Sequence, residues 1–158
     1  MKIQLTERNF RWFLLAIIIG VLFIAIAEAG ERPANLWKGL VAEDTAGDRE
    51  TYLIIASVVR NRLNIGMTHG LNALKRPDLD GFVAEQCEYV SKKFNKDLKA
   101  ITGKAINDVF IEGSDFSNGG THYEHTQVYD KPWWAPGMKV VKILHKGTEK
   151  EITCYKKK

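Results

Sequence analysis

The sequence predicts an α+β domain, helical first and stranded last, with a separate apolar segment in front. Three observations predict it. Apolar residues recur at helical spacing between positions 34 and 111, turn formers cluster at 114–120, and two short runs that read as a hairpin follow at 139–144 and 149–155. At 158 residues, with 45% hydrophobic residues and four Trp, the chain suffices for one domain with a real core and at most a short appendage.

Residues 1–29 stand apart from the domain, which runs from 30 to 158. Lys2, Arg8 and Arg11 precede an uncharged run, Trp12 to Ala27, of 16 residues, which Glu28 ends. A signal-peptide core is usually about 7 to 15 residues and a membrane span about 17 to 25. Ala25-Ile26-Ala27 and Ala27-Glu28-Ala29 both have the small-residue pattern of a signal-peptidase site. Cleaved signal and uncleaved anchor are both open. Either way the basic flank stays inside and the rest is exported, to the periplasm or to a membrane-anchored position.

Within the domain, Leu36, Trp37, Leu40 and Val41 predict a helix over 34–46, which Gly47 can end. Tyr52, Ile55, Ala56, Val59 and Leu63 predict a second helix with one core-facing stripe, capped by Asp48 and with Glu50 in its first turn. Glu43 thus sits just before a tight corner between two helices. There a carboxylate is either a solvated helix-end charge or an acid in a cleft. A turn at 66–70, a helical turn at 71–75 stopped by Pro77, another turn at 78–82, and helices over 83–94 and 97–111 follow. After the 114–120 turn, Thr121 to His125 reads as extended and Tyr129 to Gly137 as an irregular aromatic loop. A hairpin turning at His145 to Thr148 completes the chain.

The net charge of +4 and pI near 9.0 suit an acidic polymer, a membrane surface or nucleic acid. No basic stripe interleaved with aromatics is present, which argues against nucleic acid. Nothing in the sequence sets the oligomeric state. Cys87 and Cys154 both lie in the exported part. They form either a disulfide, worth about 4 kcal/mol in the chain-entropy model, or two buried thiols.

Two groups of motifs carry a resemblance. An alanine-flanked glutamate, Glu43, is followed, after the corner, by a helix ending in Val58-Val59-Arg60-Asn61-Arg62. Later come Asp115, Ser117-Asn118-Gly119-Gly120, Thr121-His122-Tyr123-Glu124, Pro132-Trp133-Trp134-Ala135 and Thr153-Cys154-Tyr155. In order and spacing this resembles the cell-wall hydrolases of the spore-cortex-lytic type, phage members included. The chain departs from their pattern at Ala46-Gly47, where Gly-Glu is common, and at Ile152, where a His is expected. The resemblance implies a lysozyme-like fold, helical with a small C-terminal antiparallel hairpin or sheet, acting on the glycan strands of peptidoglycan without a cofactor.

Glycosidic cleavage needs a proton for the leaving oxygen, and a glutamate in an apolar cleft can supply it. Glu43 is the candidate general acid and Glu124 the candidate second carboxylate, sharing a strand face with His122 rather than Tyr123. If no carboxylate completes the reaction, the substrate's own 6-hydroxyl can attack, as the resemblance implies. Tyr123, Tyr129, Trp133, Trp134 and His122 are the candidate substrate contacts. Two other functions stay open: a metal-dependent amidase or peptidase using His122, Glu124, His125 and His145, and a non-catalytic wall-binding module. Against the metal, His122 and His125 point to opposite strand faces and no HExxH helix is present.

Overall fold

The computed structural model describes residues 31–45, 47–67, 71–125, 132–146 and 149–158, with only the backbone at 149–150. The expected signal or anchor at 1–29 and the candidate contact Tyr129 lie outside the described residues. The chain forms α1 (Leu36–Glu43), α2 (Arg49–Asn64), a 3-10 turn (Asn72–Lys75), α3 (Leu79–Phe94), α4 (Leu98–Phe110), β1 (His122–His125), β2 (Met138–Lys146) and β3 (Glu149–Lys157). The strands make one antiparallel sheet in the order β1-β3-β2. Helices first and a small sheet last is the α+β class expected.

Helix α1 stops earlier than its apolar pattern suggests. Asp44 is extended, and its carbonyl accepts a 2.7 Å hydrogen bond from the buried Tyr52 hydroxyl instead of a helical N–H. The corner then closes through Gly47 at φ +73°, where a β-carbon would stand 2.8 Å from Leu98. Asp48 caps α2 as expected, accepting from the Glu50 N–H at 3.1 Å. Asp97 caps α4 likewise through the Ala100 N–H, at 3.0 Å. Helix α3 begins four residues before its expected start, so the expected turn at 78–82 is its first turn.

Helix α2 differs most from its pattern. A single core-facing stripe was expected, but every residue from Thr51 to Val59 is buried. The helix is wrapped by α1, α4 and the sheet, and its polar Ser57 survives burial by donating to the Leu53 carbonyl at 2.8 Å. The larger core joins Leu36, Leu40, Tyr52, Ile55, Val59 and Val109 to Ile152 and Cys154 of β3. A smaller cluster of Val41, Leu79, Val83, Val90 and Leu98 seats α3 against α1 and α4.

These two clusters separate the cysteines. No bridge joins Cys87 to Cys154, correcting the disulfide reading. Both are free thiols. Cys154 faces the larger core from β3, opposite Tyr123 of β1, whereas Cys87 packs at the edge of the smaller cluster on α3. Burial pushes the Cys154 thiol up to about 12. Alkylation of the native protein should therefore modify Cys87 and spare Cys154, with two thiols titrating once the unreduced chain is unfolded. An unfolded, unreduced chain with no titratable thiol would contradict this arrangement.

Candidate active site

The polar end of α2 builds the site. Arg60, Asn61 and Arg62 follow the buried run directly, and each spends its side chain on a carbonyl of a later segment. Arg60 donates to Val109 O at 2.5 Å, Asn61 to Gly120 O at 3.0 Å, and Arg62, through Nε, to Thr121 O at 2.6 Å. Asn61 also donates to Ser117 Oγ at 3.0 Å. The turn it grips is self-supporting: Asp115 accepts from the Ser117 N–H at 2.9 Å, the Ser117 hydroxyl at 2.7 Å and the Gly119 N–H at 2.7 Å. Burial pushes the Asp115 carboxyl up, but the hydrogen bonds from Ser117, Gly119 and Asn61 outweigh it and hold it below its ordinary value. The Val-Val-x-Asn-Arg and Asp-to-Gly-Gly motifs, remote in sequence, are thus one hydrogen-bonded unit.

That unit delivers β1 to the end of α1. Tyr123 donates its hydroxyl to Glu43 Oε2 at 2.7 Å. Glu43 makes no other hydrogen bond among the described residues, which leaves its second carboxyl oxygen for a ligand. Burial, reinforced by the charge of Glu43 and their shared hydrogen bond, raises the Tyr123 phenol well above its ordinary value. Tyr123 therefore remains a proton donor and orients the carboxyl. The Arg62 guanidinium lies 5.7 Å from the centre of the Tyr123 ring. Burial pulls the Arg62 value down, and Tyr123 and Glu43 oppose it.

An open pocket of about 310 Å³ forms around this pair, lined by Glu43, Arg62, Leu71, Asn72, Trp134 and all four β1 residues, His122 to His125. Successive β1 side chains point to opposite faces. Among the described residues β1 pairs only with β3 and so lies at the edge of the sheet they form. The pocket wraps this edge and reaches both faces. Tyr123 and His125 meet edge to face on one side, at 5.9 Å. On the other, Trp134 packs against His122 at 5.3 Å and against Tyr155 at 5.1 Å. Burial, and secondarily the Arg62 charge, lowers the His122 imidazole and favours its neutral form.

Glu43, Glu124, Tyr123, Trp134 and His122, candidates from the sequence, therefore meet in one place. Trp133 does not: it is 89% exposed and lies outside the pocket lining. Arg62, Leu71 and Asn72 join the site without having been singled out as contacts. Arg62 carried a signal through its motif; Leu71 and Asn72 carried theirs only through the resemblance of the stretch around Gly70-Leu71 and Ala73-Leu74-Lys75. His145 lies exposed on β2, away from the pocket, and among the described residues no group of three His, Cys, Asp or Glu is arranged to hold a metal ion. Compared with known proteins, the chain matches no family model, no curated protein and no solved structure.

Glu124 titrates above the ordinary carboxyl value, because of burial first and the neighbouring Glu43 charge as well, with His125 opposing. Its folded value exceeds its unfolded one, so ionisation costs stability. The cost is absent below the unfolded value and complete above the folded one. Glu124→Gln should therefore be more stable relative to wild type at pH 7 than at about pH 4. Urea unfolding of both proteins at the two pH values measures it; a difference independent of pH would contradict the half-buried setting of this carboxyl.

Proposed function

We propose that the chain is a peptidoglycan-cleaving glycosidase of lysozyme-like architecture, with Glu43 as general acid. The observation that carries this reading is the Tyr123-to-Glu43 hydrogen bond inside a pocket that also holds Glu124. A carboxyl held by one oxygen, with the other available, suits proton delivery to a glycosidic oxygen. Trp134 supplies a ring of the kind that sugars stack on, and Asn72 supplies donors for hydroxyl or acetamido groups. As the bond from the sugar carbon to the leaving oxygen breaks, the Glu43 proton moves to that oxygen. Positive charge then grows on the ring carbon, and Glu124 is the group placed to answer it.

Two completions of the reaction use the same residues. Water activated by Glu124 gives a reducing end, whereas attack by the sugar's own 6-hydroxyl gives an anhydro end and a lytic transglycosylase. Neither needs a cofactor. The apolar run at 12–27 accords with export across the cytoplasmic membrane, and the basic surface with an acidic polymer outside it.

The test is a pair of conservative variants. Glu43→Gln retains the acceptor for Tyr123 but has no proton of suitable acidity to give, so wall lysis should fall by about 10²–10⁴-fold with little change in melting temperature. Glu124→Gln should slow lysis less. Wild-type lysis by Glu43→Gln would overturn the assignment. No lysis by the wild type on any wall would favour a binding module.

A further inference from the structure

The surface around Trp37 takes no part in the pocket. A second groove, of about 180 Å³, opens there between the chain entering α1 and helix α4. Arg32, Pro33, Trp37, Lys99, Gly103 and Ile106 line it. The Trp37 ring is partly buried, with the Lys38 and Lys99 ammonium groups 5.9 and 5.4 Å from its centre. Lys38 is paired with Asp80 at 2.7 Å. Arg32 and Lys99 have no ion pair among the described residues. Asp97, an acid close by in the chain, is engaged in capping α4, and Glu31 precedes Arg32. An indole rimmed by long cationic side chains is suited to a bilayer interface, where the ring sits at headgroup level and the charges reach phosphates.

The chain's own connectivity points to the same occupant. Ala27, the last residue of the apolar run, stands five positions before Arg32. Five residues span at most roughly 18 Å even when fully extended. A bilayer holding that run therefore keeps this groove within reach of its headgroups.

We propose that the Arg32–Trp37–Lys99 face docks on an anionic lipid bilayer, with Arg32 and Lys99 on lipid phosphates and Trp37 at headgroup depth. The inference rests on residues 12–27 remaining in the membrane and is independent of the glycan chemistry.

A β-carbon at Gly103 would meet nothing within 4 Å, so this position tolerates a probe. Full-length Gly103→Cys in a Cys87→Ser background would be labelled with an environment-sensitive dye. It would then be reconstituted into nanodiscs of phosphatidylcholine alone or with one third phosphatidylglycerol. Headgroup-level spin-labelled lipid should quench the dye in the anionic discs and not in the neutral ones. Arg32→Gln/Lys99→Gln should lower the docked-to-undocked ratio by about 25-fold, from roughly fivefold per charge, with an unchanged melting temperature. Arg32→Lys/Lys99→Arg should restore it. Equal quenching in the two disc types, or quenching insensitive to the double Gln variant, would overturn the proposal. So would a chain cleaved near Ala27 and not retained on anionic discs.

Discussion

Three consecutive polar side chains at the end of a buried helix hold the rest of the structure in register. Arg60, Asn61 and Arg62 leave α2 where its burial ends, and each is spent on a backbone carbonyl of a later segment. Hydrogen bonds from charged donors are worth about 1.5–3 kcal/mol each, and losing one strands a partly buried carbonyl. Through these bonds the helical half fixes where β1 starts. The start of β1 in turn fixes Tyr123 over Glu43. A site whose residues lie 80 positions apart is thus set by a helix that itself contributes only Arg62 to the pocket.

The same constraint explains why α2 is buried all round. A helix that must touch α1, α4 and the sheet cannot keep a solvent face, so Thr51 and Ser57 are taken inside with the aliphatics. The corner before it is tight for a related reason. Tyr52 claims the Asp44 carbonyl, which ends α1 directly after Glu43 and leaves that carboxyl at a helix terminus instead of midway along a face. The steric limit at Gly47 and the Tyr52 hydroxyl therefore act on where Glu43 points, although neither touches the pocket.

Much of this was legible before any coordinates. Helical spacing, the Asp48 cap and the terminal hairpin follow from local chemistry, which acts over a few residues. The meeting of Glu43 with Tyr123 and Glu124 followed only from motif order. What stayed hidden depends on contacts between distant segments. The pairing of β1 with β3 rather than β2 leaves no local trace, and neither does the burial of α2 on every side from Thr51 to Val59, where a period-3.6 stripe is what a half-buried helix would show as well. Cys87 and Cys154 could not be separated by spacing, because a bridge depends on which of two cores each thiol enters. Trp133 and Trp134 are adjacent and chemically alike. Only the turn from Pro132 to Ala135 decides that Trp134 packs on His122 and Tyr155 while Trp133 faces solvent.

On the proposed reading, the pocket between α1 and β1 cuts bonds between sugars. Mass spectrometry of purified peptidoglycan digested by the wild-type protein measures this most directly. The expected product is shortened glycan carrying intact stem peptides, with each new end either reducing or anhydro. Intact glycan strands with severed peptides would contradict it.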